Sequence, residues 1–71
     1  MRILRDKLAR RILEVIETAD EPLETSEIIK TIGDSTRIKV LYRLHNLRGE
    51  SLLRGKQVGS GKGAWIWWKA K

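Results

Sequence analysis

Seventy-one residues with no cysteine, one histidine and a formal charge of +6 leave room for a single domain and exclude a disulfide framework or a thiolate metal site. A chain this short rarely draws more than about 3 to 5 kcal/mol from its core, so packing or self-association has to carry the fold. The charge is split: residues 1–34 hold six Lys and Arg against eight Asp and Glu, whereas residues 35–71 hold nine against Glu50 alone, giving −2 followed by +8.

The opening residues Met1 to Lys7 carry a charge every two or three positions, and no apolar run approaches the roughly 18 residues that span a bilayer. The expected setting is intracellular, cytoplasmic or nucleoid-associated, with no membrane partner. From Arg2 to Thr18, Ile3, Leu4, Leu8, Ile12, Val15 and Ile16 recur at three- and four-residue spacings among charged residues, which predicts an amphipathic first helix. Asp20, Glu21 and Pro22 stop it, because proline cannot donate and pushes its predecessor out of helical geometry. A short link through Leu23 leads to a second helix capped by Thr25 or Ser26, with Glu24 and Glu27 near its positive end. Its apolar residues Ile28, Ile29 and Ile32 fill only two turns before Gly33.

Asp34 or Ser35 is expected to cap a third helix reaching about Arg48. At 100° per residue, Val40, Leu41, Leu44 and Leu47 gather within an arc of about 120°. Opposite them fall Ser35, Thr36, Lys39, Tyr42, Arg43 and Asn46. That face holds no acid and offers two cations, an amide and a phenol, which suits phosphates and base edges. Gly49 ends the helix. The remaining chain reads as a hairpin: Leu52 to Val58, a loop Gly59-Ser60-Gly61-Lys62-Gly63, and Ala64 to Ala70. On the last strand Ala64, Ile66, Trp68 and Ala70 share one face and Trp65, Trp67 and Lys69 the other. One indole is expected to cap the core, with Trp65 and Trp67 turned outward unless a bulge inverts the faces.

Helix, short strand, helix, glycine turn, basic helix and hairpin resembles the winged helix-turn-helix family over essentially the whole chain. The residues that carry the resemblance are Val40-x-x-x-Leu44-x-x-Leu47, Leu52-Leu53 and the Gly59 to Gly63 tip. It implies one α+β domain over residues 1–71, three helices packed on a C-terminal hairpin, with an option of a short third strand near Leu23. It also implies that the third helix enters the major groove of duplex DNA and that the hairpin tip, the wing, lies along the backbone or minor groove. Val40-Leu41-Tyr42-Arg43-Leu44 followed by Trp68 is similar as well to the Z-alpha subset, which binds left-handed DNA. Ile38 stands where that subset has asparagine, and the hairpin lacks its prolines.

Arg37, Lys39, Arg43, Arg54, Lys56 and Lys62 read as phosphate clamps, against the alternative of an ordinary solvated basic face. Arg37 points toward the apolar side of its helix and has Asp34 or Glu27 as an alternative partner. Tyr42 either stacks and donates to a phosphate or covers the core edge. Asn46 lies late in the helix, where the backbone is nearer than the bases. Ser35 and Thr36 combine capping with contact. The Gly-rich loop is no nucleotide-binding P-loop, because the first glycine, the Ser/Thr after Lys62 and the following helix are missing; its glycines instead let Ser60 and Lys62 reach a DNA backbone. Trp65 and Trp67 are candidates for base stacking, a partner interface or thickening of the core. His45 lacks the neighbours of a general base. The function expected is binding of double-stranded DNA by a transcriptional regulator or a chromatin- or replication-associated protein, with no catalysis, cofactor, metal or small-molecule substrate. The alternative is a protein-docking module of a larger nucleic-acid machine that uses Trp65 and Trp67; a homodimer is a further option.

Overall fold

The computed structural model describes residues 5–59 and 64–70; Ile3 and Leu4 of the expected first helix, and Ser60 and Lys62 of the expected wing tip, lie outside them. Helix α1 spans Lys7–Thr18. Its cap is Asp6, whose Oδ1 accepts from the Ala9 N–H at 3.1 Å, satisfying one of the amides that a helix start leaves without a partner. Ala9, Ile12 and Ile16, at spacings of three and four, form its buried stripe. Thr18 closes the last turn by donating to the Glu14 carbonyl at 2.9 Å, and Ala19 is already extended.

Strand β1 is the dipeptide Leu23–Glu24, followed at once by helix α2, Thr25–Ile32. Neither Thr25 nor Ser26 caps α2. Glu24 is the cap residue, and Glu27 Oε1 reaches back to accept from its N–H at 2.7 Å, the reciprocal half of a capping box. Thr25 is buried instead. Gly33 ends α2 with φ of 86° and donates to the Ile29 carbonyl, a conformation open to glycine at little steric cost.

Helix α3 spans Arg37–Gly49 and is capped by Thr36, which accepts from the Lys39 N–H at 3.3 Å. Asp34 and Ser35, the expected caps, sit two and one residues too early, and the Asp34 carboxylate is engaged by Arg11 at 3.3 Å. Arg11 also donates to the Ile32 carbonyl at 3.1 Å, tying α1 to the link between α2 and α3. At the far end Gly49 is still helical, and Ser51 takes the left-handed conformation with φ of 62°. Ser51 and Leu52 donate to the Arg48 and Leu47 carbonyls at 3.0 Å each, occupying acceptors that the helix end exposes.

Strands β2, Leu53–Gln57, and β3, Trp65–Lys69, complete a three-stranded antiparallel sheet in the order β1-β3-β2. The register sets Gly55 opposite Trp67 and Leu23 opposite Trp67 on its other side, with Arg54 opposite Trp68 and Lys56 opposite Ile66. Side chains alternate across a sheet, so Leu53, Gly55, Trp65 and Trp67 share the inner face and Arg54, Lys56, Ile66 and Trp68 the outer one. The expected outward placement of Trp67 is therefore corrected. Trp67 is fully buried, joining Ala9, Ile12, Ile16, Ile28, Ile32, Val40, Leu44, Leu47 and Leu53 in one core.

Two residues far away in sequence account for the inversion. A Cβ on Gly55 would stand 2.4 Å from Trp67 Cε3, so the missing side chain makes room for the indole. Thr25 Oγ1 accepts from the indole Nε1–H at 2.8 Å, and a buried donor of this kind needs such a partner. Trp65 is half-buried and stacks on Trp67, with ring centroids 5.2 Å apart. It packs against the core, while Trp68 is the indole that reaches the outer face.

Candidate nucleic-acid interface

Val40, Leu44 and Leu47 anchor α3 in the core, and the helical period then decides what the opposite side displays. The centre of that side is Ile38, 80% exposed, and one turn on Tyr42, 65% exposed; these two are the large apolar residues that the described structure leaves in solvent. Exposure settles Tyr42 as a residue that stands out from the core. Lys39 lies beside them and is exposed, as are Arg37 and Thr36, while Ser35 and Asn46 are half-buried. No Asp or Glu occurs in α3. Ile38 was not among the residues singled out for contact, although the period of the buried residues places it there.

Arg43 departs from expectation. It sits on the flank of α3 that meets α1, where its Nε and Nη2 donate to Asp6 Oδ2 at 3.2 and 2.9 Å, with both side chains largely covered. The Ala9 amide, and then the Arg43 guanidinium, hold the Asp6 carboxyl below its ordinary value of 3.8 against the opposing effect of burial. One aspartate thus caps α1 with one oxygen and binds α3 with the other. Arg43 is a strut between helices; of the other cations of α3, Arg37, Lys39 and Arg48, none is ion-paired among the described residues, and Arg48 lies against Trp65.

The opposite flank of α3 meets the hairpin. His45 is set edge-on to Trp65 and Trp67, with centroids 5.0 and 5.2 Å away, and Arg48 Cζ lies 5.4 Å from the Trp65 ring centre. His45 is exposed, and the ring contacts join this flank of α3 to β3. Arg54 and Lys56 are exposed but belong to the outer face of the sheet, so they are not brought together with Arg37 and Lys39 on α3. Tyr42 and Trp68, on which the likeness to the Z-alpha subset rests, are likewise on different faces. No described helix is long and apolar enough to cross a membrane.

These elements make a winged helix-turn-helix: α2 and α3 joined by a glycine turn, α1 behind them, and a hairpin at the side. No family model matches the chain, and no curated protein does. Among solved structures it is similar to the reduced form of the transcriptional regulator YodB from B. subtilis, with a TM-score of 0.79 at 18% identity. The match covers 99% of this chain and 67% of that one. At that identity the likeness establishes the fold, and the fold alone.

Proposed function

We propose that this domain binds double-stranded DNA as a transcriptional regulator, with the N-terminal part of α3 in the major groove. The observation that carries the reading is the exposed, acid-free side of α3. Ile38 and Tyr42 stand in solvent between Arg37 and Lys39, where no packing among the described residues calls for two large apolar side chains. In a major groove, Ile38 meets the methyl group of a thymine and Tyr42 follows one turn behind it toward a base edge or phosphate. Arg37, Lys39 and the Ser35 and Thr36 hydroxyls, at the positive end of the helix, grip phosphates on either side. The excess charge of residues 35–71 draws the duplex in, and Lys62 and Ser60 meet the backbone from the loop of the hairpin. The regulatory role of the YodB structure, which shares the fold, supports the transcriptional part of the reading.

The test is fluorescence anisotropy of labelled duplex DNA against salt concentration, comparing the native protein with an Arg37→Ala/Lys39→Ala variant. Each phosphate contact contributes about −0.9 to the slope of log K against log salt, so the variant should bind more weakly and with a slope flatter by up to about 1.8. Binding and slope unchanged by both substitutions would refute the placement of DNA on α3.

A further inference from the structure

Among the described residues no helix or strand packs across the outer face of the sheet, and the charged residues along its two sides differ in sign. The strand order β1-β3-β2 puts Ile66 and Trp68, both half-buried, along the middle strand. On one side of them lie Asp20 and Glu21, exposed on the turn that leads into β1; on the other lie Lys56 and Arg54, exposed on β2. Directly across the sheet Glu24, Ile66 and Lys56 form one row. Ile66 and Trp68 continue into an open groove of about 440 Å³ with Ile16, Ala19 and Pro22, bordered by Asp20 and Glu21 on one edge, Lys56 on the other and Lys69 at the end of β3. The face is an apolar strip with an acidic and a basic border, two strand spacings or about 10 Å apart.

We infer that this face pairs with the same face of a second copy of the chain, as a twofold homodimer whose axis runs along β3. The sign pattern chooses both the occupant and the axis. A twofold interface places one patch against itself. Rotation about a line along β3 exchanges the two borders, so the acids of one copy meet Lys56 and Arg54 of the other while Trp68 packs near its own counterpart. Rotation about a line across the strands would set acid on acid and base on base, which opposes association. A uniformly charged ligand such as a nucleic acid would be repelled by one border wherever it lay. The α3 faces are on the inner layer of each copy, outside the interface, so the inference does not depend on the proposal for DNA.

Sedimentation equilibrium, from micromolar to millimolar protein, reads the self-association directly. The native chain should form a dimer. Asp20→Lys/Glu21→Lys and Arg54→Glu/Lys56→Glu should each raise the dimer dissociation constant by about tenfold or more while retaining native circular dichroism, and an equimolar mixture of the two should dimerise again because the reversed borders match. The native sequence has no cysteine, so single cysteines give a second reading that does not depend on reversing charge. Under mild oxidation, Glu24→Cys mixed with Lys56→Cys, which share one row across the sheet, should give the crossed disulfide in preference to either like pair. A native chain that stays monomeric, reversed borders that leave the dimer unchanged, or a like-with-like disulfide pattern would each overturn the inference.

Discussion

Replacing Asp6 by asparagine separates the two tasks of that side chain. Asparagine caps a helix about as well as aspartate, so the bond to the Ala9 amide survives and the change removes chiefly the charge that faces Arg43. The pair has good geometry, two donors on one oxygen at 3.2 and 2.9 Å, but both partners keep about a quarter to a third of their side-chain surface in water. Solvent screening therefore limits the loss to about 0.5 to 1.5 kcal/mol, somewhat above an exposed pair and well below a buried one. For a domain of this size that is a fall in Tm of roughly 2 to 12 °C. The pH dependence has a definite sign. The folded-state value of Asp6 is depressed, so the stabilisation is present above the unfolded value of 3.8 and is lost as pH falls through the folded one. The gap between native and Asp6→Asn proteins should close below pH 3.8 and be full at neutrality. At the same time Arg43 is released and the net charge rises by one, so the salt slope for duplex DNA should steepen by up to about 0.9. Thermal melts across pH and the anisotropy salt series read both effects. Equal stability at neutral pH together with an unchanged slope would show that Arg43 is not held by Asp6 and would refute the strut.

Three further substitutions probe how the hairpin and the helix end are held. Thr25→Val keeps the shape of the side chain but leaves the buried Trp67 Nε1–H without an acceptor, and should cost about 1 to 3 kcal/mol in chemical denaturation; a loss that persists in full when Trp67 is also phenylalanine would dissociate it from the hydrogen bond. Gly55→Ala drives a methyl to 2.4 and 2.7 Å from Trp67 Cε3 and Cζ3, an overpacking that should cost about 1 to 3 kcal/mol and shift tryptophan emission as the indole moves; a neutral result would mean that the strand yields easily. Ser51→Gly relieves a left-handed serine worth about 1 kcal/mol, of which roughly half returns through the freer unfolded chain, so Tm should rise by a few degrees; a fall would show that the serine makes a compensating contact.

Much of this architecture is legible in the sequence because it is periodic. Three- and four-residue spacings indicate α1 and α3, Pro22 and Gly33 mark the breaks after α1 and α2, and the link at Leu23 is the short strand β1. The hairpin sides were harder. When apolar residues occupy both parities of a strand, alternation separates two sets without saying which is inside. For β3 the decision lies in Gly55, which makes room, and in Thr25, which supplies an acceptor 42 positions away. The same reason hid the fate of Arg43, whose partner Asp6 is 37 residues earlier. Helix caps were missed by one or two residues, since Asp34, Ser35 and Thr36 are all competent and only the engagement of Asp34 by Arg11 distinguishes them. The exposure of Ile38 follows from the helical period, which sets it opposite Val40, Leu44 and Leu47.

The middle strand of the sheet is the last of these elements to be synthesised. Until β3 emerges, neither β1 nor β2 has its neighbour in the described sheet to pair with, and the core lacks the Trp67 indole. The closing contacts, made between Leu23 and Trp67 and between Thr25 and Trp67, are distant along the chain. Such long-range closure slows folding relative to a helical bundle of the same length. A nonsense codon anywhere before Trp65 would leave a fragment with exposed apolar helix faces and unpaired strand edges, a substrate for proteolysis or aggregation rather than a partly working domain.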